Sequence, residues 1–301
     1  MAQSSSVADF KALNGWNPAR FIGSIRQGPS PLLDLMTVLL VAIIFLMALI
    51  GPLLAPDVEH SGISSSLLPP GPGHWLGTDE QGRDVLWRIV AGSRTTLSAA
   101  VEIVAGYALV GVLVATLAAA GPRWLGEFLM RLADLGLSFP SLVFALGISA
   151  TLGASMESAI TACICTGWPM TARLLGGIMR EVKQAQFVEG ARVLGVSRTR
   201  LFLRHILPNA LPVLWVKWAG DIGNTVLVVG GLSFIGAGAQ PPSPEWGAMI
   251  NDARGLVSTA WWAAFFPGLA IAITTAAFGL LGDMLHHRLN PELRSKTGGL
   301  R

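Results

Sequence analysis

Charge is what this sequence has least of. Asp, Glu, Lys and Arg make up only 13% of its 301 residues, against roughly a quarter in an ordinary soluble domain. Tyrosine occurs once and cysteine twice. Cys163 and Cys165 would stand about 200° apart around a helix, which suits neither a disulfide nor a shared metal, and they read as small packing residues. No Gly-Lys pair occurs anywhere, so a phosphate-binding loop of the GxxxxGK[ST] kind is excluded. No HExxH occurs either, and His60, His74, His205 and the adjacent His286 and His287 are too dispersed for a zinc or protease centre. The pI is about 9.2, but the net charge is only +3. No basic stripe of the kind that binds nucleic acid is present.

Hydrophobic residues are plentiful, at 52%, and they collect in long blocks. About 20 apolar residues cross a bilayer. Such blocks run over Leu33–Leu54, Leu97–Ala120, Phe128–Leu152, Ser158–Ile178, Leu211–Ile235 and Trp262–Leu285. Lys and Arg favour cytoplasmic connections. They gather before the first block, around Arg123 and Arg131, between Arg173 and Arg204, and in the tail from Arg288. The connection 153–157 has none and 236–260 has only Arg254, whereas Asp57–Arg94 has three basic residues beside five acidic ones. The expected fold is an all-α integral membrane protein with six transmembrane helices and both termini cytoplasmic. Its parts are a cytoplasmic leader (1–32), a first transmembrane helix (33–55), an extracytoplasmic cap (56–95), a five-helix core (96–288) and a cytoplasmic tail (289–301). The leader lacks a small-residue cleavage site after a short apolar core, so it does not read as a removed signal peptide.

Within the core, the polar stretch 179–209 is the informative part. Gln184–Leu194 can form an amphipathic helix with Phe187, Ala191 and Leu194 on one side. Gly195 interrupts it, and Ser197 can cap a short second helix in which Leu201 and Phe202 are apolar. Pro208 and Pro212 restrict the chain where it re-enters the membrane. A helix–glycine–short helix can receive force from a soluble partner, or it can be a solvated or lipid-lying loop held by its arginines. In the cap, Asp79 reads as an N-cap, and Gln240–Gly247 is too proline-rich for regular structure and offers Trp246 to the membrane interface.

The spacing Glu189-Gly190-Ala191, Gly195, Leu207-Pro208 resembles the EAA loop of ABC importer permeases. Three further stretches resemble the dipeptide/oligopeptide/nickel branch. They are Leu76–Val85, Arg204–Asn209, and the run from Leu232-Ser233-Phe234-Ile235-Gly236 to Gln240–Gly247. The resemblance covers roughly Leu33–Arg294 and implies a type I importer permease in a bacterial inner membrane. It also implies a second homologous permease, two ABC ATPase subunits that hold ATP and Mg, and an extracytoplasmic solute-binding protein. This chain would then be non-catalytic and bind no cofactor. Docking on the ATPase would fall to Glu189, Gly190, Ala191, Gly195, Val196, Ser197, Arg198, Leu201, Leu207 and Pro208. Gly190 replaces the usual second alanine, and His205 stands where the broader pattern has isoleucine. Gly230 stands where the branch commonly has an acidic residue, so the identity of the solute does not transfer. Di- or oligopeptides are the preferred cargo, because such systems are numerous, with a nickel or other metal chelate and a glutathione-like molecule as alternatives.

Ionisable residues inside the spans are costly and face protein or water. Asp221 and Glu102 are candidates for lining a pathway. Asp221 also stands four residues from Lys217, so the two share a helix face, and a local ion pair steadying the fifth span is the preferred reading. Pro140, Pro169 and Pro267 should kink their spans. An ion-coupled carrier would need inverted repeats and paired broken helices, and an intramembrane enzyme would need a nucleophile–base or metal constellation. The sequence shows neither.

Overall fold

A computed structural model describes residues 31–55 and 65–289. The leader up to Ser30, the cap residues 56–64 and the tail from 290 lie outside the described residues. All regular elements among those described are helical. They are α1 (Pro31–Leu54), α2 (Val85–Ala120), α3 (Arg123–Ser138), α4 (Ser141–Leu152), α5 (Met156–Lys183), α6 (Gln186–Val193), α7 (Arg198–Leu201), α8 (Leu207–Ala210), α9 (Pro212–Phe234), α10 (Trp246–Ala253) and α11 (Trp262–Leu289).

Among the described residues, α1, α2 and α11 are each long and apolar enough to cross a membrane. The block expected as one span over Phe128–Leu152 is α3 and α4, bent by 92° at their junction. Phe139 and Pro140 are extended there, because proline lacks the N–H that would continue the helix and disfavours helical geometry before it. Pro169 and Pro267, by contrast, lie inside α5 and α11, which run on through them. α5 and α9 are long enough to span, but α5 carries Arg173, Arg180 and Lys183, and α9 carries Lys217 and Asp221.

α2 is the spine of the bundle and packs against α1, α3, α5 and α9, while α9 packs along α11. Gly220 and Gly282 meet where α9 and α11 cross, the close approach small residues allow between helices in lipid. The Arg288 guanidinium pairs with Asp34, tying the end of α11 to the start of α1.

The opposite end carries the cap. Asp84, not Asp79, caps a helix: its side chain accepts from Trp87 N, opening α2. Asp79 instead closes a turn, accepting from the backbone N–H of Gln81 and of Arg83 at 3.0 and 2.8 Å. Trp246 is fully buried rather than interfacial. Its Nε1 donates to Ile89 O at 3.0 Å, and Gly92 on α2 leaves room for the Pro244 backbone. A buried indole is stable when its N–H finds an acceptor, and proximity to α2 supplies one.

Two cap carboxyls are pushed above the usual carboxylate range. Glu245 is raised by burial, partly offset by hydrogen bonds from Gly247, Ala248, Ser233 and Thr96. Asp252 is raised by burial, offset by Arg88 and Arg83. A carboxyl with a raised folded pKa binds its proton more readily folded than unfolded. Its contribution is full below the unfolded pKa and is lost as pH rises through the folded value. Protection of the α10 amides against hydrogen exchange should therefore increase from pH 7 toward pH 5, after correction for intrinsic exchange. In Glu245→Gln/Asp252→Asn that slope should flatten; an unchanged slope contradicts the assignment.

Candidate functional site

The polar stretch after α5 folds as a bent lever. α6 ends in a Schellman motif: Gly195 N–H donates to Arg192 O at 3.0 Å, and Val196 N–H to Ala191 O at 3.2 Å. Gly195 has φ +77°, a left-handed conformation that costs glycine nothing. Ser197 stands at the N-cap position of α7, though its side chain caps nothing there. α7 leads into a π-turn over Phe202–Ile206. Pro208 has no N–H to give Arg204 O, so the ladder shifts: Leu207 N–H reaches back to Phe202 O. Asn209 Nδ2 donates to His205 O at 2.5 Å.

The underside of the lever is tied into the bundle. Val188, Leu201, Phe202 and Ile206 are buried together with Leu175, Met179 and Val182 of α5, Ala115 of α2 and Leu214 of α9. Ala191, Val196 and Leu207 pack partly against the same cluster. Lys183 Nζ donates to Ala119 O at 2.8 Å, satisfying a carbonyl at the end of α2. The outer surface carries Glu189, Gly190, Gly195, Ser197 and Arg198, with Glu189 and Arg192 paired at 3.0 Å. Pro208 is half-buried. Leu194, expected on the packed side, is 84% exposed and Val193 is 81% exposed. Leu194 is the C-cap of α6, its N–H still donating to Gly190 O at 3.1 Å, and Val188 is the residue of α6 that is fully buried.

A second polar group lies inside the bundle. Lys217 and Asp221 pair through one turn of α9. The Tyr107 hydroxyl of α2 donates to Asp221 Oδ2 at 2.6 Å, and the Lys217 ammonium stands 5.5 Å from the Tyr107 ring centroid. Tyr107, the chain's one tyrosine, was the missed member, and its solitude in an apolar block was the available signal. Glu102 lies on the exposed side of α2, whereas Tyr107 is on the buried side. Asp134 of α3 and Arg173 of α5 also pair, at 2.9 Å. Among the described residues no group of three or more His, Cys, Asp or Glu side chains is placed to hold a metal.

An apolar helical bundle with a rigid lever at one end and a half-buried charged pair inside it has the build of a membrane transport subunit. Its fold is that of a type I ABC importer permease. The inward-facing methionine ABC transporter MetNI contains a chain that superposes with TM-score 0.56, covering 68% of this chain and 97% of that one at 16% identity. Residues 109–295 match the family described as binding-protein-dependent transport system inner membrane component, and this chain belongs to that family. It is thus an inner-membrane, non-catalytic permease component of an ABC transporter. The probable D,D-dipeptide transport system permease protein DdpC of Escherichia coli K12 is 36% identical, over 94% of this chain and 93% of its own. The dipeptide transport system permease protein DppC of Alkalihalophilus pseudofirmus is 31% identical over 95% and 93%. The glutathione transport system permease protein GsiD of Pectobacterium atrosepticum is 35% identical over 90% and 89%.

Proposed function

We propose that this chain is half of the translocation pathway of an ATP-driven, binding-protein-dependent importer of di- or oligopeptides. It crosses the membrane six times with both termini cytoplasmic, counting α3 and α4 as one bent span and α5 and α9 as spans shielded by a second, homologous permease. Two ABC ATPase subunits, which hold ATP and Mg, dock on this lever and on that of the second permease. An extracytoplasmic solute-binding protein delivers cargo at the cap end. Closure of the ATPases moves the lever, and the lever's packed underside carries that motion into α2, α5 and α9.

The observation that carries this reading is the pairing of an exposed apolar tip, Val193 and Leu194, with an underside buried against three long helices. A lipid-lying loop has no need of so rigid an attachment. Peptide cargo is supported by dipeptide permeases among the relatives, and a glutathione permease at similar identity keeps a γ-glutamyl tripeptide as the second cargo. The test is uptake of labelled dipeptide by membrane vesicles carrying the complete importer. Uptake should require ATP and survive collapse of the proton gradient. Uptake that follows the gradient and ignores ATP identifies an ion-coupled carrier instead.

A further inference from the structure

Lys217, Asn224 and Gly231 recur every seven residues along one side of α9, with Asp221 at its edge. Asn224 is exposed, and Lys217 and Asp221 keep 19% and 25% of their side-chain surface open. Ionisable groups at membrane depth turn toward protein or water, not lipid. With the second permease of the importer reading facing α9, this side is a polar strip that can line a pathway between the two.

We propose that Lys217 and Asp221 form a binding site for the two charged ends of a zwitterionic short peptide. Lys217 takes the terminal carboxylate and Asp221 the terminal ammonium; the inference rests on the importer reading above. Residues at i and i+4 of a helix hold their Cβ atoms about 5–6 Å apart, and an extended two-residue chain spans at most about 7 Å. The resting ammonium and carboxylate are in contact, so the two poles of a dipeptide fit only once Lys217 swings away from Asp221 on its flexible four-carbon stem. Without cargo the pair neutralises itself and closes the site. Entry of a zwitterion exchanges one internal ion pair for two and adds no net charge, avoiding the desolvation cost of an unpaired ion. Tyr107 makes the exchange workable. Its hydroxyl bond keeps Asp221 in place and partnered when Lys217 swings to the carboxylate, and its ring face offers the ammonium a second resting place.

The test uses the complete importer in proteoliposomes. Lys217→Gln/Asp221→Asn removes both charges but retains two side chains that hydrogen-bond to each other. Dipeptide uptake should fall at least about 10-fold, while co-purification of the ATPases and ATPase stimulation by loaded binding protein stay within twofold of wild type. Uptake within twofold of wild type overturns the site and leaves the importer reading intact. Absence of ATP-dependent uptake in the wild type defeats the importer reading itself. A second measurement does not depend on the double variant assembling. Asn224→Cys, in a Cys163→Ala/Cys165→Ala background, should react with a hydrophilic maleimide. Millimolar free dipeptide should slow that reaction at least about threefold, and the N-acetylated dipeptide amide should not. Equal protection by both peptides, or protection by neither, overturns the proposal.

Discussion

Replacing Val193 and Leu194 together by aspartate should release the ATPases from the solubilised complex and abolish ATP-driven uptake, with the helical bundle still folded. Both side chains are more than four-fifths exposed, so the substitution removes little of the chain's own packing, and exposed changes of this kind alter stability by only about 0.5 kcal/mol. In the docked complex the same atoms would be buried in a partner's groove. Burying an exposed Val or Leu side chain contributes about 1.5–3 kcal/mol, and an aspartate forced into that groove adds desolvation. Two such losses give about 4 kcal/mol, close to 1,000-fold in affinity. Pull-down of the ATPases and vesicle uptake read the two halves of the result, and circular dichroism checks the bundle. Retention of the ATPases at wild-type yield would remove the docking role from this tip.

That tip also marks what the sequence could and could not reveal. The lever's hinge was legible, because a left-handed turn after a helix has few solutions and Gly195 is one of them. Its buried side was legible only in part. Helical periodicity groups Leu194 with Phe187 and Ala191, yet the side chain at this C-cap is exposed, because the apolar pattern alone does not say which residues meet the bundle. Long-range partners left no periodic trace. Nothing near Lys183 indicates that it reaches Ala119, sixty-four residues away in the chain. Tyr107 and Asp221 are separated still further. The cap was misjudged for a different reason. Trp246 follows a proline-rich run, which suits an interfacial anchor, yet its burial goes with a close approach of the Pro244 backbone to α2 that Gly92 permits. Substituted glycines create space that composition does not display, whereas apolar blocks announce the spans directly.

Gly92→Val should accordingly be among the most destabilising single changes in the described chain. A Cβ at position 92 would stand 1.8 Å from Pro244 O and 2.9 Å from Pro244 C. Both are backbone atoms, so no rotamer relieves the overlap and the Gln240–Glu245 segment must lift from α2. Lifting it breaks the bond from Trp246 Nε1 to Ile89 O. It also withdraws Glu245 from Ala248 N, the contact that caps α10 at 2.9 Å. Emptying a buried tryptophan site costs about 3–5 kcal/mol, and the loss of a helix cap adds about 1 kcal/mol. Trp246→Ala should reach a similar deficit without the clash, through the cavity alone. Gly279→Val is the matched control, because a side chain there meets nothing within 4 Å. Thermal unfolding of the purified complex, together with the rate of tryptic cleavage at the exposed Arg254, measures both effects. Gly92→Val should unfold at clearly lower temperature and open Arg254 faster, whereas Gly279→Val should track wild type. Equal stability of the two valine variants would mean that the cap does not rest on α2 as described.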